Sequence, residues 1–174
     1  MIAIVALNLA GGGSPQQSSP PTGAPGPLSL SAPPHVQQQA GACAKVLAKL
    51  PVRVDRLAQR VVHTTPETPF VVAWGDPPVV LRCGVDRPAS LHAGSSAQYF
   101  SATGPNGPYF DVSSDGQSQV FTSVDRAAYI SIAIPAQYRA GPLTPLARAI
   151  AAALPPVCTT EPAAPLAQHC TRRQ

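Results

Sequence analysis

The residues of this chain with the clearest chemical potential are its four cysteines, Cys43, Cys83, Cys158 and Cys170. An even number of widely spaced cysteines is typical of disulfide bonds in an exported protein. No two of them form a Cys-x-x-Cys pair, which disfavours a redox-active site and a zinc ribbon. His169 beside Cys170 offers a partial metal site with Cys158, but disulfide use is favoured, and we predict no metal centre.

Two short segments carry candidate binding residues. Trp74 and Asp76 place an aromatic ring close to a carboxylate in sequence. That pair is able to hold a ligand, although a buried Trp and a turn-forming Asp are the commoner roles. Asp125 and Arg126 precede a predicted strand as an ion pair or a surface recognition pair, and here too the structural role is favoured. These four residues are the binding candidates, and we assign no catalytic residue.

A basic group between residues 45 and 60 is opposed in sequence by a single carboxylate, Asp55. With a formal net charge of +4 for the whole chain, an ordinary solvated surface is the favoured interpretation. The alternative is contact with anionic lipid headgroups or wall polymers. The chain lacks a dense basic stripe with interleaved aromatic residues, so we predict no nucleic-acid partner. The basic group consists of Lys45, Lys49, Arg53, Arg56 and Arg60.

The sequence contains no local signature of an enzyme. A nucleophile elbow, a P-loop, a dinucleotide fingerprint and an HExxH pair are all absent from the printed sequence. We therefore predict no cofactor and a protein that is not an enzyme. A Ser/His/Asp triad assembled from distant positions stays open, because triads are defined by geometry and not by sequence order.

Composition divides the chain into four parts. Residues 1–10 are apolar but too short to span a bilayer, and we interpret them as the remnant of a signal peptide or membrane anchor. Residues 11–35 are rich in Pro, Ser and Gly and predict a disordered spacer. We expect residues 36–156 to form a single domain and residues 157–174 to form a loose tail. Residues 1–34 and about 160–174 are expected to be dispensable for folding.

Periodicity predicts a helix, several strands and a second helix. Apolar residues recur at helical spacing over 36–50 and again over 141–154. Between them, β-branched runs are separated by turn residues, and the segment 56–62 is compatible with either helix or strand. Because strands and helices do not alternate, a doubly wound parallel sheet is disfavoured. We predict an α+β fold, with a mainly antiparallel sheet, two helices packed on one face, and Trp74 and Leu81 in the core.

One segment resembles a known family. The sequence AWGDPPVVLRCGV at 73–85, followed by Arg87 and Pro88, is similar to the signature of an actinobacterial family of small exported or membrane-anchored proteins of unknown function. The run FTSVDRAAYISIAIP at 121–135 and the helix at 141–154 fit the same layout, and the resemblance covers about 37–155. It implies an envelope location and carries over no activity, cofactor or catalytic residue.

The resemblance also suggests a disulfide pairing. Cys43 and Cys83 lie within the family-like part, while Cys158 and Cys170 lie in the tail. We expect a Cys43–Cys83 bridge that joins the first helix to a strand, with the other two cysteines paired together. The alternative is Cys43–Cys158 with Cys83–Cys170.

The sequence thus predicts an exported protein, secreted or anchored at the outer face of the cytoplasmic membrane. We expect a non-catalytic binding or scaffold module of the cell envelope. Its partner would be an envelope protein or a cell-wall polymer, with peripheral or anchored membrane association. The alternative is an exported hydrolase-like enzyme that acts on cell-wall material.

Overall fold

The structure, a computed structural model, describes residues 25–92, 100–104 and 107–157. These described residues form ten strands and two helices in an α+β fold, as predicted, with a short 3-10 helix at Ala136–Tyr138. The strands are β1 (Leu28–Ser31), β2 (Arg53–Val54), β3 (Leu57–Arg60), β4 (Val62–Thr65), β5 (Val71–Trp74), β6 (Val79–Cys83), β7 (Phe100–Ser101), β8 (Tyr109–Ser114), β9 (Ser118–Ser123) and β10 (Ile130–Pro135), and the helices are α1 (Val36–Leu47) and α2 (Leu143–Ala153).

Eight of the strands form one antiparallel sheet in the order β2-β3-β5-β6-β10-β9-β8-β7. Short turns link β2 to β3, β5 to β6 and β8 to β9, as expected for antiparallel neighbours. The segment 56–62 is therefore strand and not helix, since it supplies β3 and the start of β4.

Both helices pack on one face of this sheet, as predicted. Alternate strand residues point to that face, and Trp74, Leu81 and Ile132 are fully buried there. The helices contribute Val46 and Leu146 to the same cluster. This face, which we call the helix face, holds the main core, and the predicted core positions Trp74 and Leu81 are confirmed.

A disulfide joins the helix layer to the sheet. Cys43 in α1 is bonded to Cys83 at the end of β6, with an S–S distance of 2.03 Å. Both residues are fully buried. The predicted Cys43–Cys83 pairing is therefore confirmed, and the alternative partner for Cys43 is wrong. The predicted Cys158–Cys170 pair lies outside the described residues.

Two glycines in the 73–85 segment have defined steric roles. Gly75 has φ +75°, and a Cβ there would lie 2.7 Å from Leu57 Cδ2. Gly84 has φ +91°, and its Cβ would lie 3.0 Å from the backbone nitrogen of Val36 at the start of α1. Only glycine combines this backbone conformation with so close an approach. These two positions let β5 turn into β6 and let α1 begin directly beside the end of β6.

The predicted spacer at 11–35 is wrong at its C-terminal end. Residues Leu28–Ser31 form β1, which pairs in parallel with β4 outside the main sheet. The Leu-Ser-Leu-Ser alternation supplies one apolar edge, and Leu28 and Leu30 pack against Val71, Ala73 and Val80. We call β1 the strap. The folded domain therefore begins at about residue 28 and not at 36.

The strap is held by hydrogen bonds as well as by packing. The backbone N–H of Leu28 donates to the carbonyl of Val61 at 2.9 Å, and that of Ala32 donates to the carbonyl of Thr65 at 3.2 Å. Arg60 Nη2 donates to the carbonyl of Gly26. Proline content had argued for disorder, but residues 28–31 contain no proline, so all four can form ladder hydrogen bonds.

Candidate ligand-binding face

The sheet face opposite the helices, which we call the outer face, is divided into two halves. The strap and β4 lie over the half built by β5 and the start of β6, and Ala133 of β10 lies at the edge of this covered part. Across the other half, strands β6, β10, β9 and β8 present two parallel rows of side chains. One row is polar and one is largely apolar, so this half is an amphipathic platform.

The polar row runs straight across four strands. Arg82 is paired in register with Ser131, Ser131 with Thr122, and Thr122 with Asp111. Adjacent strands are about 4.8 Å apart, so the row extends over roughly 14 Å. Hydroxyl groups therefore connect a guanidinium at one end to a carboxylate at the other.

The apolar row lies one side-chain step further along the strands. Val80 is paired with Ala133, Ala133 with Val120, and Val120 with Ser113. These side chains are short. The platform therefore forms the bottom of a depression between the strap and the β8–β9 turn. The result is a groove with a floor made of strand residues.

The groove has a volume of about 610 Å³ and is open to solvent. This lies within the size range of small-molecule and peptide sites. Leu30 of the strap forms one wall, and Asp115 and Gln117 of the β8–β9 turn form the other. A second depression continues from Ser131 toward Thr122 and Asp111, so the two share one floor residue.

Arg82 is the most informative side chain of the groove. It is half-buried and points to the outer face, because its neighbours Leu81 and Cys83 are buried on the helix face. Within the described part of the chain, its guanidinium forms no hydrogen bond and no ion pair. Its register neighbours, Val71 and Ser131, are uncharged. A guanidinium placed in this way presents a planar fork of donors to the groove.

Asp115 is the other charged residue that lines the groove, at its rim, and its carboxylate is already engaged. Its Oδ1 accepts the backbone N–H groups of Ser118 at 2.7 Å and Gln117 at 3.0 Å. These hydrogen bonds, that from Ser118 foremost, lower the pKa of Asp115 below its usual value. The carboxylate therefore shapes the β8–β9 turn and stays ionised at neutral pH.

At the far end of the polar row, Asp111 accepts a hydrogen bond from the Ser90 hydroxyl at 2.5 Å. Arg87 lines the same depression and donates to the carbonyl of Leu91 through Nε at 3.1 Å and Nη2 at 2.6 Å. Asp111 and Arg87 are thus held by loop contacts, and Asp86, which lines the same depression, is bonded to His35. Arg82 differs from them, since no described group fixes its guanidinium.

The structure places the predicted Trp74–Asp76 pair in two different environments. Trp74 is fully buried, and its Nε1 donates to the carbonyl of Pro51 at 3.0 Å. Asp76 is exposed, and its Oδ1 lies 3.4 Å from Arg60 Nη1. The ring therefore packs in the core, where no ligand reaches it, while the carboxylate lies at the turn. The pair does not form a binding corner.

Asp125 and Arg126 form a buried ion pair. Their exposures are 2% and 4%, so they cannot act as a surface recognition pair. Asp125 Oδ1 accepts the backbone N–H of Tyr109 at 2.9 Å, and the Asp125 carbonyl accepts the N–H of Val157 at 2.9 Å. Their role is structural, because they connect β8 and the segment after α2 to the loop before β10.

The five residues of the basic group lie in two different environments. Lys45, Lys49, Arg53 and Arg56 are exposed, as expected for a solvated surface. Arg60 differs, because its side chain is only 8% exposed and bridges the strap to the β5–β6 turn. It joins two backbone segments instead of contributing to a positive surface.

The outer-face residues were not among the sequence candidates. A signal was present in β6, where Arg82 interrupts the otherwise apolar run Val79–Cys83. In a strand with two buried faces such a residue is out of place, so it indicates one open face. The hydroxyl row carries no comparable signal, because Ser131 and Thr122 become neighbours of Arg82 only through strand register.

In the described ranges, no helix is long and apolar enough to cross a bilayer. Those ranges also contain no group of three or more His, Cys, Asp or Glu side chains arranged to hold a metal ion.

Comparison with known proteins identifies a family and nothing narrower. No curated protein and no solved structure matches the chain. One family model matches residues 1–158, and its description is "Protein of unknown function (DUF3515)". Since the match includes the helices, the disulfide and the strands of the groove, the whole described domain lies within it. The chain belongs to this family of unknown function.

Proposed function

We propose that this protein is an exported, non-catalytic binding module of the cell envelope, and that the groove on the outer face is its binding site. The observation that carries the proposal is the division of the sheet. One face is filled by helices, whereas half of the other presents an amphipathic groove of about 610 Å³ with an uncommitted guanidinium.

Export is supported by the buried Cys43–Cys83 disulfide, because such bonds persist in oxidising compartments and are rare in the cytosol. The apolar residues 1–10 and the absence of charged residues over 1–44 agree with an exported or anchored start. The full-length gene fused to a reporter that is active only outside the cytoplasm tests this point. Signal from the fusion is expected, and a purely cytoplasmic distribution would contradict it.

Binding is tested with purified cell walls and membranes, each sedimented with the protein over a range of concentrations. Saturable binding to at least one fraction is expected. Ser131→Trp places an indole ring on the floor of the groove and should abolish this binding. The control is Ala152→Trp, which adds the same ring to an exposed position on α2. Equal binding by the two variants would show that the groove is not the site.

A further inference from the structure

The groove has the charge and lining of a site for the carboxylate of a short peptide. We propose that Arg82 anchors that carboxylate, with the Ser131 hydroxyl beside it, while the peptide's small side chains lie on the apolar row. This inference rests on the proposed function, since it names the ligand class of the same groove.

The charges that line the groove favour a carboxylate ligand. Among the described residues that line the groove, Arg82 is the sole cation and Asp115 the sole anion. A planar guanidinium binds a carboxylate through two parallel hydrogen bonds. A phosphate monoester carries up to two negative charges and three strong acceptors, which call for several cations. A single arginine therefore matches a singly charged carboxylate better than a phosphate.

The residue types that line the groove favour a peptide ligand. None of the described residues that line the groove is aromatic, so there is no ring on which a sugar could stack. The walls instead carry side-chain amides and hydroxyls, from Gln117, Gln137 and Ser118. These groups both donate and accept hydrogen bonds, as the amide groups of a peptide backbone require. The lining thus favours a peptide over a glycan.

The groove is built from rigid elements, which lowers the entropic cost of binding a ligand. The floor consists of paired strands, and Pro77, Pro78 and Pro135 border it. Proline fixes its own backbone angle, so little conformational freedom is lost when a ligand binds. Arg82 itself projects from β6 between Val71 and Ser131 in the neighbouring strands, which restricts its stem while the guanidinium stays accessible.

The test uses tri-alanine as the probe, measured by calorimetry and by NMR detection of the Arg82 guanidinium. The wild-type protein should bind tri-alanine and shift the Arg82 Nε–H resonance. The C-terminal amide of the same peptide should bind at least roughly ten-fold more weakly, because a charge-assisted pair is lost. N-acetylation should have a much smaller effect, since the N-terminus is not the anchored group.

Three variants complete the test. Arg82→Gln should lose roughly ten-fold or more in affinity for tri-alanine and should bind the peptide and its amide alike. Arg82→Lys, which keeps the charge but not the fork, should be intermediate. Arg148→Gln removes an exposed cation from α2 and should bind as the wild type does.

Three outcomes would overturn the inference. One is the absence of carboxylate-dependent binding to the wild-type protein. Another is binding that survives Arg82→Gln. The third is stronger displacement of tri-alanine by inorganic phosphate than by acetate, which would replace the carboxylate with a phosphate ligand. Failure here is distinguishable from failure of the proposed function, because envelope binding blocked by Ser131→Trp but indifferent to Arg82→Gln leaves the groove as the site and removes only the carboxylate anchor.

Discussion

The two faces of the sheet are built from alternate residues of the same strands, yet they have different roles. In β6, Leu81 is fully buried under the helices, while its neighbour Arg82 projects into an open groove. The helix face is buried and largely apolar, and a disulfide joins it to α1. The outer face is half covered by a strap and half exposed. Stability is therefore concentrated on one side of the sheet, and the other side is left available for recognition.

Loss of the disulfide should have the largest effect on the free energy of unfolding. Replacing both Cys43 and Cys83 with Ala removes a bridge between residues 40 apart in sequence, which should lower the free energy of unfolding by about 4 kcal/mol. Urea titration with and without reductant measures this. Reductant should have no further effect on the stability of the double variant, because the expected Cys158–Cys170 bridge lies in the tail. A wild-type protein whose stability is unchanged by reduction would show that the helix face does not depend on the Cys43–Cys83 disulfide.

A pair of substitutions at adjacent positions compares the faces directly. Leu81→Ala should cost about 3 kcal/mol through lost burial and the cavity that remains. Arg82→Gln should change stability by less than about 0.5 kcal/mol, because its guanidinium has no partner among the described residues. Denaturant midpoints give both values. Similar losses for the two variants would remove the distinction between a structural and a functional face.

The strap gives a smaller effect that locates the boundary of the domain. Deletion of residues 1–34 removes Leu28 and Leu30 from their contacts with Val71, Ala73 and Val80. It should cost about 2 kcal/mol from the apolar surface exposed. Deletion of residues 1–24 should leave the thermal midpoint unchanged. If the two deletions behave alike, the strap contributes nothing and the domain begins at α1.

The smallest effect on stability is expected at Asp115, at the rim of the groove. Because hydrogen bonds from Ser118 and Gln117 lower the pKa of Asp115, its stabilising contribution is present above the unfolded-state pKa and is lost as the pH falls through the folded-state value. Asp115→Asn should therefore be less stable than the wild type at pH 7, and the difference should shrink at acidic pH. Glu67→Gln, at an exposed residue, is the control. A constant difference across pH would contradict this account.

The sequence predicted the helix face far better than the outer face, for a physical reason. Helical periodicity in α1 and α2 and the apolar run at β5 report directly on burial, so Trp74 and Leu81 were placed correctly. The strap was missed because four alternating residues carry little weight inside a proline-rich segment. The polar row was missed because Ser131 and Thr122 gain their meaning from cross-strand register, which sequence spacing alone does not define.

The candidate residues failed for a related reason. Trp74, Asp125 and Arg126 were chosen for their residue types, but burial removes them from any surface. Arg82 has a common residue type and stands out only through its position in an apolar strand. A polar residue that breaks a buried pattern is therefore the more informative signal in this chain.

NMR mapping shows whether the half-open outer face is the binding surface. Backbone resonances of the full chain are followed while soluble fragments of enzymatically digested cell wall are added. Shifts are expected only in β6, β10 and β9, around Arg82, Ser131 and Val120, and they should be lost in Ser131→Trp. Shifts centred instead on α1 and α2, or on the exposed basic residues between 45 and 56, would contradict this expectation.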